Sequence, residues 1–192
     1  VVILNLNMKK RRIVKMKKPL SIICLILVFF LLYFLQSNVF TWFNIAGIMP
    51  NLYVILVLFI GLFVKRKLGM AFGICFGLYL DIILGKTVGI SALALGTVGL
   101  LGEILSKNFS KDSRFIVTLM VIIATIFYET LLYILTMLRT SGTIEILPFI
   151  RILLIETLFN VLLTIIIYPI MKKAGYYLEN LFDDKFILTR YF

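Results

Sequence analysis

Few residues in this sequence have the types and spacing that catalysis or metal binding requires. The 192-residue chain has no histidine, which removes the most common metal ligand and the usual general base near neutral pH. Cys24 and Cys75 both lie in apolar runs, so we expect them to be small buried hydrophobic residues. The sequence GKT at residues 85–87 matches the end of a phosphate-binding loop, but Leu80 stands where that motif needs a glycine. We therefore expect no enzymatic activity, no metal and no cofactor.

A row of glycines that ends in a carboxylate is the most unusual local pattern. In GMAFGICFGLYLDIILGKTVG, residues 69–89, glycine recurs every four residues and Asp81 continues the spacing, so on a helix these residues share one face. Such a face lets another helix backbone approach closely. The next two glycines are expected in a turn, where positive φ is easy for glycine. The predicted helix-packing or partner-docking residues are Gly69, Gly73, Gly77, Asp81, Gly85, Gly89, Gly96 and Gly99.

Ionisable and amide side chains also occur inside apolar segments of the C-terminal half. A charge near the centre of a membrane helix costs roughly 2.5 to 3.5 kcal/mol on insertion scales, so these groups should face protein or a water-filled cavity. We expect Arg151 to pair with Asp81 or with Glu156. Two interpretations remain open here: a structural or partner-facing role, and a site for a solute or a proton. The predicted buried polar residues are Glu129, Arg151, Glu156 and Asn160.

The elements that position these residues are apolar segments. The chain is 62% hydrophobic with a mean hydropathy of +1.10, more than the core of a soluble domain of this size can hide. The second segment contains Pro50, which suits the first turn of a helix, and residues 45–49 before it are expected to be re-entrant or interfacial. Trp42 and Pro50 are the predicted membrane-interface anchors. The six apolar segments are roughly 20–35, 45–64, 68–84, 90–105, 115–138 and 148–171.

The distribution of basic residues predicts the topology. Most of the 20 lysines and arginines fall before the first segment, in alternate loops, or after the last segment. The positive-inside rule then gives an all-α integral membrane protein of about six transmembrane helices with both termini in the cytoplasm. We assign the basic N-terminal segment to contact with anionic lipids and not to nucleic acid. The predicted divisions are a basic cytoplasmic segment (1–19), a six-span transmembrane domain (20–171) and a cytoplasmic or interfacial tail (172–192).

The central stretch resembles a known family. Residues 49–102, MPNLYVILVLFIGLFVKRKLGMAFGICFGLYLDIILGKTVGISALALGTVGLLG, resemble MreD, the rod shape-determining membrane protein of bacterial cell-wall elongation. The shared features are Pro50 opening a short apolar span, the basic turn after it, and the run of Gly73, Gly77 and Asp81. The segment FNVLLTIIIYPI at 159–170 is similar to the last span of that family. In length and order the resemblance covers about residues 20–175.

This resemblance implies a function and a set of partners. It implies a non-enzymatic, multi-pass component of the elongation machinery in the bacterial cytoplasmic membrane. The implied partners are MreC, a RodA-type glycosyltransferase and its class B transpeptidase, with MreB filaments reached indirectly. The family also resembles in fold the substrate-binding S subunits of energy-coupling-factor transporters, so a vitamin-binding S subunit is the alternative. Those subunits typically carry an Ala-x-x-x-Ala surface on the first span, whereas the first span here has no alanine.

Overall fold

The computed structural model describes residues 2–64, 66–85, 87–140 and 145–182, with side chains from Lys18 onward except for residues 65–67. The described part is helical apart from its connecting segments. A π-helical turn, Leu35–Val39, continues the first helix. The helices are α1 (Val2–Phe34), α2 (Leu52–Phe63), α3 (Arg66–Ile83), α4 (Ile90–Asn108), α5 (Arg114–Thr140) and α6 (Ile146–Phe182).

Length and composition divide the helices into two groups. Four described segments are long and apolar enough to cross a membrane, whereas α2 and the apolar part of α3 (Leu68–Ile83) are shorter. At 1.5 Å per residue α2 spans about 18 Å, well short of the ~30 Å hydrocarbon core. The expectation of an all-helical membrane protein is confirmed, while six crossings stay a prediction. The four long segments are Lys18–Val39, Ile90–Asn108, Arg114–Thr140 and Ile146–Phe182.

The short helix α2 forms the centre of the molecule. All twelve of its residues are buried, and it contacts each of the other five helices. Its sequence, LYVILVLFIGLF, is apolar around its whole circumference, which is the pattern of a helix surrounded by protein. The remaining helices therefore form a shell around α2.

The helix α1 is the most loosely attached member of the shell. Its most deeply buried described side chain is Phe29, which is 1% exposed. The ring of Phe29 stacks on Phe76 with a centroid distance of 4.0 Å. It is tilted against the Tyr53 ring at 5.7 Å and makes a T-shaped contact with Tyr79 at 5.6 Å. Aromatic pairs in such geometries contribute about 0.5 to 1.5 kcal/mol beyond area burial. This cluster holds α1 against α2 and α3.

The segment around Pro50 differs from the prediction. Pro50 is buried and precedes Asn51, the N-cap of α2, so it is neither in the first helical turn nor at an exposed interface. Trp42 is 88% exposed, as an interface anchor would be. The bend before Pro50 is a tight loop in which Ile45 and Ile48 exchange backbone hydrogen bonds of 3.1 and 3.0 Å.

One further expectation is corrected, and the last helix is longer than its apolar segment. Cys24 and Cys75 are exposed and not buried as expected. The outer face of a membrane protein is as apolar as its interior, so hydropathy alone does not distinguish exposed from buried positions. The last helix continues past residue 171 to Phe182. Gly175 packs against the Phe63 ring at the end of α2, and Leu178 is buried in the core. The helical packing thus extends into the predicted tail, whose residues 183–192 lie outside the described part.

Candidate functional site

The glycine row of α3 packs against α4 inside the molecule. A Cβ atom added at Gly73 would lie 2.7 Å from the carbonyl carbon of Leu95 and 2.9 Å from the amide nitrogen of Gly96. A Cβ added at Gly77 would lie 2.5 Å from the amide nitrogen of Ala92. These are backbone atoms, which cannot move aside as a flexible side chain can. The two backbones therefore approach as closely as they do only because both positions are glycine.

Three helix backbones converge at a second set of glycines. Gly69 of α3 faces Gly61 of α2, where an added Cβ would lie 2.8 Å from the Gly61 Cα. A Cβ on Gly102 of α4 would lie 2.9 Å from the same Cα, and one on Gly99 would lie 2.5 Å from the carbonyl carbon of Gly69. Sequence reasoning missed Gly61 and Gly102. The spacing of Gly102, one turn after Gly99, was the available signal.

The remaining predicted glycines have different surroundings. A Cβ on Gly96 would meet only the side chain of Ile74, with its Cγ1 at 2.7 Å. Gly85 and Gly89 have open space around the Cβ position but positive φ angles of 61° and 107°. They are needed for the backbone of the α3–α4 turn, because residues with a Cβ rarely adopt this conformation.

The carboxylate of Asp81 caps the helix that follows its own. Asp81 is fully buried at the end of α3. Its Oδ2 atom accepts hydrogen bonds from the backbone N–H of Gly89 at 2.8 Å and of Ala92 at 3.4 Å. The N–H of Ser91 lies 3.2 Å from both carboxylate oxygens. The N-cap residue Gly89 has no side chain to fill this role, so Asp81 satisfies the free N–H groups of α4 and complements its dipole.

The predicted pairing of Arg151 with Asp81 is wrong, and the alternative pairing with Glu156 stays a prediction. Arg151 is exposed, not buried, and no ion pair within 4 Å joins it to Asp81 in the described part of the chain. Backbone N–H groups stabilise the Asp81 charge, so this carboxylate needs no cation. Arg151 lies near the start of α6, where a long side chain can reach the polar region of the bilayer.

A buried polar network surrounds the N-terminus of α2. Asn160 of α6 is fully buried, and its Oδ1 accepts a hydrogen bond of 2.8 Å from the backbone N–H of Asn51. Its Nδ2 donates to Oγ1 of Thr125 in α5 at 3.1 Å. The hydroxyl of Thr164 donates to the backbone carbonyl of Asn160 at 2.6 Å. One amide side chain thus connects α2, α5 and α6.

Two residues near Asn160 complete the end of α2. The Oδ1 of Asn51 accepts from the N–H of Val54 at 3.3 Å, and Oε1 of Gln36 accepts from the N–H of Leu52 at 3.0 Å. These contacts satisfy donors that a helix beginning inside the bilayer would otherwise leave in hydrocarbon. Sequence reasoning missed the roles of Asn51 and Gln36. The available signal was an amide side chain before an apolar run.

The two buried carboxylates border this network. Glu129 is 9% exposed and Glu156 is 7% exposed. Both interact electrostatically with Tyr128, which is itself buried. The structure therefore places Glu129, Glu156 and Asn160 around one region of the molecule, whereas Arg151 lies outside it.

A third polar cluster ties the α4–α5 loop to α6. Asp112 accepts a hydrogen bond of 2.6 Å from the hydroxyl of Tyr176 and lies 3.3 Å from Nζ of Lys172. Beside it, Lys111 donates to Glu179 at 2.7 Å and to the backbone carbonyl of Leu62, near the end of α2, at 3.3 Å. The Tyr176 hydrogen bond, followed by the Lys172 contacts, lowers the pKa of Asp112 below its ordinary value of 3.8.

The chemistry available at these sites is limited. Across the residues that the structure describes, no group of three or more His, Cys, Asp or Glu side chains could hold a metal ion. The glycines and Asp81 satisfy backbone packing and backbone N–H groups, and the amide network does the same at α2. Fold and site together define an all-helical membrane protein whose unusual residues hold its helices together.

Comparison with protein families gives this description a name. The family of the rod shape-determining protein MreD matches residues 17–174, and the chain belongs to that family. The resemblance seen in the sequence is confirmed, and the chain is a rod shape-determining membrane protein. No curated protein and no solved structure matches the chain.

Proposed function

We propose that the chain is a non-enzymatic scaffold of the bacterial cell-wall elongation complex in the cytoplasmic membrane. It acts by binding MreC and the peptidoglycan synthases, a RodA-type glycosyltransferase and a class B transpeptidase, and it reaches MreB indirectly. Six crossings with both termini in the cytoplasm are part of this proposal. The family membership supports the rod-shape role.

The observation that carries the scaffold role is the internal use of the glycine row. Gly69, Gly73 and Gly77 contact backbone atoms of α2 and α4, so this face is occupied before any partner arrives. Partner binding then falls to the outer surfaces of the shell, which present large apolar side chains. Exposed examples are Leu27 and Leu31 on α1, Phe115 and Leu138 on α5, and Ile166 and Ile170 on α6.

The surroundings of the buried polar groups also favour a scaffold over a vitamin-binding subunit. The side chain of Asn160 forms hydrogen bonds with a backbone N–H group and with Thr125. The side chain of Asp81 accepts hydrogen bonds from backbone N–H groups. Two of the cavities in the described part of the chain, of about 440 and 380 Å³, are lined almost entirely by apolar side chains. A water-soluble vitamin needs placed polar groups in its pocket.

The experiment is affinity purification of the tagged full chain from its own host in a gentle detergent, read by mass spectrometry. We expect MreC and the glycosyltransferase–transpeptidase pair to co-purify with the wild-type chain. A tagged, unrelated multi-helix membrane protein expressed at the same level is the control for non-specific capture. Recovery of paired ATPases with a coupling subunit would contradict the proposal and support the S-subunit alternative.

A variant pair links this result to the surface of the shell. Leu31→Trp on α1 and Leu138→Trp on α5 each enlarge an exposed apolar side chain without adding a charge. Because neither position is in the core, both variants should stay folded, and at least one should lose a partner. If both variants keep every partner and support normal rod shape, those two surfaces are excluded as docking sites.

A further inference from the structure

The connection between α1 and α2, residues 40–51, differs in charge from the other helix connections, and we call it the α1–α2 loop. The sequence has no Asp, Glu, Lys or Arg at any position in 19–64, whereas each of the other connections between helices contains at least one. The α1–α2 loop nevertheless presents large apolar side chains on its surface. An exposed apolar patch of this kind marks a contact with protein or with membrane. The exposed apolar residues are Trp42, Phe43 and Ile45.

The short length of α2 places this loop within the thickness of a bilayer. In the sequence α2 is followed by the basic residues 65–67, which belong at the polar edge of a membrane. The helix spans about 18 Å from that edge, so about 12 Å of the ~30 Å hydrocarbon core remain beyond Leu52. The end of α1 lies at the same level, because Oε1 of Gln36 accepts a hydrogen bond of 3.0 Å from the N–H of Leu52. The loop beyond these two residues therefore lies in the leaflet opposite the basic N-terminal segment.

The α1–α2 loop satisfies much of its own backbone, as a segment in contact with lipid must. Five of its backbone N–H groups donate to nearby backbone carbonyls at 3.0 or 3.1 Å. The side chain of Asn44 donates from Nδ2 to the carbonyl of Thr41 at 2.6 Å and accepts at Oδ1 from the N–H of Gly47 at 3.2 Å. The hydroxyl of Thr41 donates to the carbonyl of Asn38 at 2.9 Å. The polar side chains thus bond to the main chain of the loop, and the apolar side chains are left to contact the surroundings.

We propose that the α1–α2 loop inserts into the lipid of that leaflet, with the Trp42 ring at the boundary between headgroups and acyl chains. Interfacial segments bury their apolar side about 5 to 10 Å, which fits within the ~12 Å that remain beyond α2. An indole suits this depth, because its ring is apolar while its N–H can donate to a headgroup. The interfacial segment expected at residues 45–49 thus extends to the whole loop. This lipid contact does not depend on the protein partners proposed above.

Trp42 is the only tryptophan of the chain, so intrinsic fluorescence reports this residue alone. The test uses the purified full chain in phosphatidylglycerol–phosphatidylcholine vesicles whose acyl chains carry bromine either near the headgroup or near the chain end. We expect blue-shifted emission, the strongest quenching by bromine near the headgroup, and weak quenching by iodide present on both sides of the membrane. Emission typical of tryptophan in water, quenched by iodide and not by bromine, would overturn the proposal and leave the apolar side chains of the loop to a protein partner.

Two variants move the single tryptophan and serve as a matched comparison. Trp42→Phe combined with Phe43→Trp keeps the tryptophan on the same loop and should preserve quenching by bromine near the headgroup. Trp42→Phe combined with Ser110→Trp moves it to the exposed, charged α4–α5 loop beside Lys111, and should give red-shifted emission that iodide quenches. Melting in detergent checks that both variants are folded. Equal iodide quenching of the tryptophan at residues 42, 43 and 110 would overturn the proposal.

Discussion

The carboxylate of Asp81 accepts a 2.8 Å hydrogen bond from the backbone N–H of Gly89, the residue that caps α4. This contact explains why the glycine row of α3 ends in an acid. The helix brings Asp81 to its last turn, two glycines with positive φ reverse the chain, and the carboxylate receives the first N–H groups of the next helix. The pattern is a helix cap supplied from the preceding helix.

Asp81→Asn should therefore destabilise the protein. The amide keeps one acceptor oxygen but turns an N–H₂ donor toward backbone donors, and it loses the charge that complements the α4 dipole. Hydrogen bonds to charged groups contribute about 1.5 to 3 kcal/mol, so we expect a melting temperature lower by several degrees in detergent. Glu145→Gln is the control at an exposed carboxylate. Equal melting of both variants would show that the cap does not matter for stability.

Gly73→Ala and Gly96→Ala form a matched pair for the α3–α4 contact. The new methyl group at residue 73 would strike the backbone of Leu95, whereas at residue 96 its closest neighbour is a side-chain atom, Cγ1 of Ile74. Overpacking costs typically about 1 to 3 kcal/mol, and the better helix propensity of alanine returns about 1 kcal/mol at either position. We expect the larger loss of thermal stability for Gly73→Ala and a smaller loss for Gly96→Ala, because a side chain can shift more easily than a backbone. The reverse order would contradict the proposed packing.

Asn160→Ala should loosen the start of α2. The backbone N–H of Asn51 and the hydroxyl of Thr125 would lose their partner in a buried site. Interhelical hydrogen bonds in membrane proteins contribute about 0.6 to 1.7 kcal/mol, so the stability loss should be modest. Hydrogen exchange at the Asn51 amide is the sharper measurement and should accelerate. Asn108→Ala is the control, because that amide contacts only Ile104 of its own helix. Unchanged exchange at Asn51 would exclude the network.

The pH dependence of Asp112 gives a prediction outside the membrane-spanning part. The hydrogen bond from Tyr176 is the main cause that lowers the pKa of Asp112 below 3.8, with Lys172 second. A lowered folded-state pKa means that the contact contributes its full stability above 3.8 and loses it as the pH falls through the folded-state value. Tyr176→Phe should raise the pKa of Asp112 in a carboxyl NMR titration. Tyr177→Phe, at the adjacent exposed tyrosine, should leave it unchanged.

The sequence predicted local patterns better than long-range partners. Four-residue spacing placed Gly69, Gly73 and Gly77 on one helix face, since that follows from helix geometry alone. The spacing did not reveal that Gly61 of α2 packs against these glycines. An isolated glycine in an apolar run gives no local signal of which helix it contacts. The Asn51–Asn160 contact joins residues 109 positions apart, and the local sequence around either residue does not identify the other as its partner.

The errors share a physical cause. In a soluble protein an apolar run points inward, but in a bilayer the outer face is apolar as well. Hydropathy therefore could not show that Cys24, Cys75 and Arg151 face outward. The continuation of α6 beyond the last apolar segment has a complementary reason. Residues 172–182 contain charged and aromatic residues that lower the hydropathy, yet their packing on Phe63 keeps them helical.

The central position of α2 has a consequence for how the protein is made. Translation delivers α2 early, but the amide that closes its N-terminus belongs to Asn160 in the last helix. A nascent chain that has inserted only α1 to α4 thus carries a short helix with an incomplete end and exposed neighbours. The first half of the molecule reaches its final structure only after α6 has left the ribosome. We therefore expect chains that stop before α6 to stay incompletely folded around α2 and to be degraded more readily than the whole protein.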